Sequence, residues 1–245
     1  MFEKWRSFRN QVDFLIRSKL QFERSLPEGF EIPESELKFQ KELREFFDLL
    51  GVKDLLINPK PHWVVCDVGT KNFSIAPVID RLFIEKNHAV KIHGIEIDGY
   101  RRFRNFYTRA DYARYFAQKA REAAFHPMDF LEFTEKVDAV FLLNPFVTKE
   151  PLLAWGLPLG LLKPAEMFSH AYGLLKEKKG FMVLGCPSEE EMEVASQYAL
   201  KAGFLLGEIK VWKANSVTAQ KKSRFGRICY STVENVSDSG KRGIV

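Results

Sequence analysis

The sequence predicts an α/β fold: a doubly wound, mostly parallel sheet of seven strands whose last strand runs antiparallel, preceded by an N-terminal helical extension. Two observations predict it. From residue 62 onward, short apolar runs of strand length alternate with segments of helical period, the pattern of β-α-β units around a parallel sheet. Near the C-terminus the alternation stops, because the strand-like runs 205–214 and 225–233 are joined by a polar loop too short for a crossover helix. Two such neighbours must run antiparallel.

Taken in order, residues 1–60 are helical in pattern. Phe8, Val12, Phe14, Leu15, Leu20 and Phe22 recur at near-helical spacing until Pro27-Glu28-Gly29 interrupts them. Ser35 offers an N-cap for a second helix, which carries Leu37, Phe39, Leu43, Phe46, Phe47, Leu49 and Leu50 and stops at Gly51. These helices form either a lid over a ligand crevice or packing on the sheet edge. Strands follow at 63–67, 89–97, 123–126, 137–143 and 181–185, with a helix at 75–85 opened by the turn at Lys71-Asn72. The run 137–143 is uninterrupted and apolar, as in a strand buried on both faces. Thr108 and Asp111 resemble a capping box with Asp in place of Glu. Pro164 suits the first turn of a helix reaching residue 175. Ser188 caps another, whose first turn is Glu189-Glu190-Glu191 and which Gly203 ends.

A chain of 245 residues suits one α/β domain, expected at 61–236, with the helical extension at 1–60 and a disordered tail at 237–245. The hydrophobic fraction of 46% and charged fraction of 28% are those of a globular protein. The longest uncharged apolar stretch, 151–162, is too short to cross a bilayer, and the first residues lack the apolar core of a signal peptide. The expectation is a cytoplasmic protein without a membrane partner. Cys66, Cys186 and Cys229 show no CxxC spacing and fit small buried hydrophobes in a reducing compartment. His62, His88, His93, His126 and His170 show no HxxxH spacing, so no metal site is expected.

The net charge is +5, and the basic excess gathers at 100–121. There Arg101, Arg102, Arg104, Arg109, Arg114, Lys119 and Arg121 face Asp111 alone, interleaved with Tyr100, Phe103, Phe106, Tyr107, Tyr112, Tyr115 and Phe116. Cations with rings make a nucleic-acid surface. The same residues also make an amphipathic helical segment with rings inward and arginines solvated, and their spacing favours that reading.

The most informative stretch is 64–73, Val-Val-Cys-Asp-Val-Gly-Thr-Lys-Asn-Phe: an apolar strand ending in Asp67, then Gly69, a polar turn and a helix start. One β-α-β unit later, His93-Gly94-Ile95-Glu96-Ile97-Asp98 is a second strand ending in carboxylates. Asp129 follows the third. Singly, Asp67 could cap a helix, Glu96 and Asp98 could be solvated strand ends, and Asp129 could be a turn residue. Three acids at the carboxyl ends of successive strands lie where open α/β sheets bind ligands, and together they suggest a nucleoside-binding crevice.

On these residues, from about 62 to 234, the chain resembles the class I S-adenosylmethionine-dependent methyltransferases. The resemblance implies a Rossmann-like methyltransferase fold with S-adenosylmethionine as cofactor. It implies that Asp67, Gly69 and Lys71 meet the methionine part, that Glu96 with Ile97 beside it meets the ribose, and that Asp129 and Phe130 meet the adenine edge. In Asn144-Pro145-Phe146, which is similar to the fourth-strand signature of the amine-modifying branches, it implies Asn144 as a catalytic hydrogen-bond acceptor. A carboxylate can accept both hydroxyls of a ribose diol, and a helix N-terminus suits a carboxylate ligand. Catalysis is then mainly alignment, with proton removal where the acceptor needs it.

The sequence departs from the family pattern at Lys71 and Phe73, which stand where the second and third glycines belong, and the fourth-strand signature is one residue short. Lys71 either reaches the cofactor carboxylate with its ammonium or points away, while Phe73 packs the helix onto the sheet. The function expected is methyl transfer to an acceptor left open between nucleic acid and protein. The alternative is a methyltransferase-fold protein without the reaction that binds RNA or protein. A dinucleotide-dependent dehydrogenase would need a GxGxxG turn, which Gly69 alone does not make.

Overall fold

The computed structural model describes residues 2–57, 60–213 and 223–232, so the tail expected at 237–245 lies outside the described residues. The chain runs α1 (Phe2–Leu20), α2 (Glu34–Leu50), β1 (Trp63–Val68), α3 (Ala76–Ile84), β2 (Val90–Ile95), α4 (Arg109–Ala117), β3 (Ala123–His126), β4 (Ala139–Leu143), α5 (Lys149–Ala154), α6 (Pro164–Leu175), β5 (Phe181–Cys186), α7 (Glu189–Ala202), β6 (Leu205–Leu206), β7 (Lys210–Lys213) and β8 (Ser223–Tyr230). The sheet order is β3-β2-β1-β4-β5-β8-β6, with β7 also on β8. β1 to β5 pair in parallel, and β8 runs antiparallel to β5. β6 and β7 pair with successive stretches of β8, 229–230 and 223–226, so the expected strand 205–214 is interrupted, with Gly207 donating its N–H to Ile228 O at the break.

Side chains alternate across β1, so the sheet has two buried faces. Trp63 and Val65 join Phe47, Phe83 and Phe141 on the face covered by α2 and α3, while Cys66 and Val68 join Phe168, Leu174 and Ala195 on the face covered by α6 and α7. α2 belongs to this core: Leu43, Phe46 and Phe47 are fully buried, and the Phe46 ring lies over Gly226. The helix starts one residue before the expected cap, after Pro33, whose φ of −55° already suits a helix entrance. Gly51 ends it at φ 74°.

α1 instead lies across the carboxyl edge of the sheet. Asn10 Nδ2 donates to Leu153 O and Leu157 O, Ser7 Oγ accepts from Leu159 N, and Arg17 reaches Asp98 just beyond β2. The first helix therefore lies over the strand ends, and the second is core packing.

Thr108 and Asp111 form the capping box of α4, each side chain bonding the other's backbone N–H. Ser188 caps α7, and Gly203 closes it at φ 105°. α5 was not expected: six residues are too few for a helical period to register, and the segment had the composition of a loop. The three cysteines are free and buried, and burial pushes the thiols of Cys186 and Cys229 up to about 12.

Candidate functional site

The site is built where β1, β2 and β3 end side by side. Asp67 is the fifth residue of β1 and is almost fully buried. Its Oδ2 has no hydrogen-bond partner, and neither has the buried Oγ1 of Thr70 nearby. Burial pushes the Asp67 carboxyl up to about 7, the Thr70 side chain draws it back, and the charge of Glu96 adds to the rise. An acid whose folded pKa exceeds its ordinary 3.8 holds its proton more tightly in the folded state. Stability from this group is therefore lost as pH rises from about 4 to 7, and the deficit is constant above that. The full shift corresponds to a ceiling of about 4 kcal/mol, reduced in practice because an amide at this position also stays unpaired. We expect Asp67→Asn to stabilise the protein by about 1–2 kcal/mol at pH 8 and hardly at all at pH 5. Thermal melts at the two pH values check this, and equal losses at both would mean an ionised, paired Asp67.

The turn after β1 keeps an uncommon backbone. Gly69 has φ 70°, Lys71 58° and Phe73 60°, so every second residue lies in the left-handed region. Gly69 N and Thr70 N both donate to Ile95 O, which ties the turn to β2. The Lys71 N–H donates to Glu96 Oε2 at 2.9 Å, while its ammonium stands 3.7 Å from Glu36 of α2 and 5.9 Å above the Phe103 ring. Of the two outcomes open for Lys71, the side chain takes the one directed toward α2. Phe73 turns into the core. Its ring stacks under β2, where a Cβ on Gly94 would lie 2.5 Å from it, and meets Phe125 at 6.1 Å.

Glu96 follows β2 and is buried, its backbone N–H donating to His126 O at the end of β3. Both its oxygens are engaged. Oε2 accepts from Lys71 N, while Oε1 accepts from Asp98 N at 2.9 Å and forms an ion pair with Arg109 Nη1 at 3.0 Å. The Arg109 guanidinium is itself buried and lies 5.2 Å from the Trp155 ring centre. Asp98 is not a solvated strand end. Arg17 grips it with two parallel bonds of 3.0 and 3.1 Å, and Arg101 Nε adds a third contact at 2.8 Å. Ile97 sits half-buried between the two acids. Beside α1, a cleft of about 420 Å³ is lined by Trp5, Arg9, Arg17, Arg101, Leu153 and Gly156.

Asp129 lies three residues beyond β3 and caps a short 3-10 turn through Leu131 N at 3.0 Å. The Phe130 ring is buried against His170, at 4.9 Å edge to face, so only its backbone faces the rim side of that turn. Asn144 ends β4 with φ 54°, its N–H on Gly185 O and its side chain exposed. Phe146 packs edge-on to Trp155.

Sequence reasoning missed the arginines. Arg101 pairs with Asp98 three residues before it, just outside the basic segment, while the fold brings Glu96, Glu23 and Asp80 to Arg109, Arg114 and Arg121. Arg17 and Asp98 are separated by 81 residues, and no local signal links them. Phe103, Tyr112 and Phe116 pack inward as the amphipathic reading expects, whereas Phe106 is 67% exposed. Among the described residues there is no group able to hold a metal ion and no helix long and apolar enough to cross a membrane.

The sequence matches no protein-family model and no curated protein. Solved structures do share the fold. Magnesium protoporphyrin IX methyltransferase from Synechocystis PCC 6803, with bound SAM, superposes with a TM-score of 0.53 at 16% identity, over 83% of this chain and 87% of that one. A SAM-dependent methyltransferase from Aquifex aeolicus gives 0.50 at 16%, over 80% and 98%.

Proposed function

We propose that this chain, which has the fold of the class I S-adenosylmethionine-dependent methyltransferases, binds S-adenosylmethionine at the carboxyl edge of its sheet and directs the methyl group to an acceptor. One observation carries the reading. Positions 69, 71 and 73 all keep a left-handed backbone although only the first is glycine. Holding a lysine and a phenylalanine there costs about 1–2 kcal/mol each, so the turn geometry persists against its own side chains.

The residues present fit the cofactor. Asp67 Oδ2 and Thr70 Oγ1 are buried without partners, and an ammonium group beside them would satisfy both and return Asp67 to its ionised form. Gly69 and Lys71 would line the methionine part, Glu96 and Ile97 the ribose, and Asp129 with the backbone of Phe130 the adenine edge. The cofactor supplies an activated methyl on a sulfonium that is already a good leaving group. Asn144, exposed at the end of β4, accepts a hydrogen bond from the acceptor and aligns it.

A second reading has its own support, because Glu96 is already engaged: two backbone N–H groups donate to it and the Arg109 guanidinium pairs its charge. A ribose diol would have to share the carboxylate with all three. If Arg109 never yields its place, the chain keeps the fold and binds RNA or protein without transferring a methyl. Calorimetric titration with S-adenosylhomocysteine separates the two. Heat of binding at sub-millimolar ligand, abolished by Glu96→Ala, is the expected result. Silence at millimolar ligand, together with salt-sensitive RNA retention, would hand the chain to the second reading.

A further inference from the structure

α1 is turned inside out relative to an ordinary surface helix. Its side toward the body is polar apart from the half-buried Phe14: Ser7, Asn10 and Arg17 make the contacts that fasten it to the 153–159 segment and to Asp98. Trp5, Phe8, Val12, Leu15 and Ile16, spaced i, i+3, i+7, i+10 and i+11, therefore share the outer arc, and all are exposed, Trp5 by 63% and Phe8 by 68%. The apolar surface continues past the helix through Leu20 and Phe22. Such a contiguous outward stripe is uncommon on a free soluble surface.

We infer that this face docks on an anionic lipid surface. The charges at its margins favour that occupant. Lys4 and Arg9 border the arc on either side, Lys19 lies at its C-terminal end, and the Arg102 guanidinium sits 4.9 Å from the Phe22 ring. Two acids flank the apolar surface, and each has a basic partner: Asp13 lies 3.9 Å from Arg9, and Glu23, next to Phe22, pairs with Arg114 at 2.7 Å. A second copy laid on this face would bring the same cations together, on a chain already at +5. What remains is a convex apolar strip with basic margins and a tryptophan, the composition of a helix that lies in a bilayer interface rather than across it. Because α1 covers the carboxyl edge, docking places the candidate site at the headgroups.

The test is flotation of the full chain with phosphatidylcholine vesicles, with and without roughly 30 mol% phosphatidylserine. The chain floats with the anionic vesicles at least about tenfold more than with the neutral ones, and high salt reduces the difference. Phe8→Asp with Val12→Asp cuts flotation by at least about tenfold, with an unchanged thermal melt because both positions are exposed. Three outcomes overturn the inference: no flotation with anionic vesicles, undiminished flotation of the double variant, or a dimer in lipid-free sedimentation that the double variant dissolves. S-adenosylhomocysteine binding does not enter the readout, so failure here leaves the proposed function standing.

Discussion

Arg109→Ala is expected to lower stability by about 3–5 kcal/mol, because it leaves Glu96 buried with its charge unopposed. Pair and surroundings explain the size: both side chains are over nine-tenths buried, and the two backbone donors that remain, Lys71 N and Asp98 N, solvate but do not neutralise. For a domain of this size the loss appears as a fall in Tm of very roughly 10 °C. The double change Arg109→Met with Glu96→Gln should recover most of it, since a well-packed neutral pair often matches a buried ion pair. A single loss under about 1 kcal/mol would mean that Glu96 is protonated or reached by water. The same variant bears on function. Removing the guanidinium leaves Oε1 with Asp98 N alone, so S-adenosylhomocysteine should bind several-fold more tightly to the folded Arg109→Ala protein, and weaker binding would mean that Arg109 orients Glu96 for the ligand.

Much of the architecture could be read from the chain because it rests on short-range physics. The parallel strands are continuous apolar runs, the caps at Thr108, Ser188, Gly51 and Gly203 are local, and the antiparallel ending follows from the length of one loop. The acids at the strand ends were legible for the same reason. What the chain could not reveal is pairing at a distance. The solvation expected for the arginines of 100–121 is correct only in the absence of partners, and Glu96, Glu23 and Asp80 reach Arg109, Arg114 and Arg121 through the fold. Orientation of α1 was equally hidden. A hydrophobic stripe signals a helix, not the direction it faces, and here the polar side holds the helix down while Phe8, Val12 and Leu15 face out. Lys71 and Phe73 depart from the resembled glycine motif in sequence, yet both have positive φ values, 58° and 60°, that ordinarily favour glycine.

How the fold accommodates Phe73 leads to the second large effect. Family glycines at the third turn position permit close packing of helix on strand, and here that closeness is arranged the other way round: the glycine is on the strand, at Gly94, and the ring on the turn, at Phe73. Phe73→Ala should therefore cost about 3–5 kcal/mol, the loss of a fully buried ring plus the cavity it leaves. Gly94→Ala should be destabilising by itself, because its Cβ would stand 2.5 Å from the ring and Phe73 has no room to retreat in the core. Combined, the two should cost less than their sum by more than about 2 kcal/mol, since the added methyl enters the space the ring vacated. Phe73→Gly should be no worse than Phe73→Ala despite the smaller side chain, because glycine adopts φ near 60° without strain worth about 1 kcal/mol. Denaturant melts of the four variants decide the matter, and additive losses would show that Gly94 is not glycine on account of Phe73. Since the ring lies below β2 rather than at the rim, S-adenosylhomocysteine affinity of the folded Phe73→Ala protein should stay within about threefold of the parent, a difference under 1 kcal/mol.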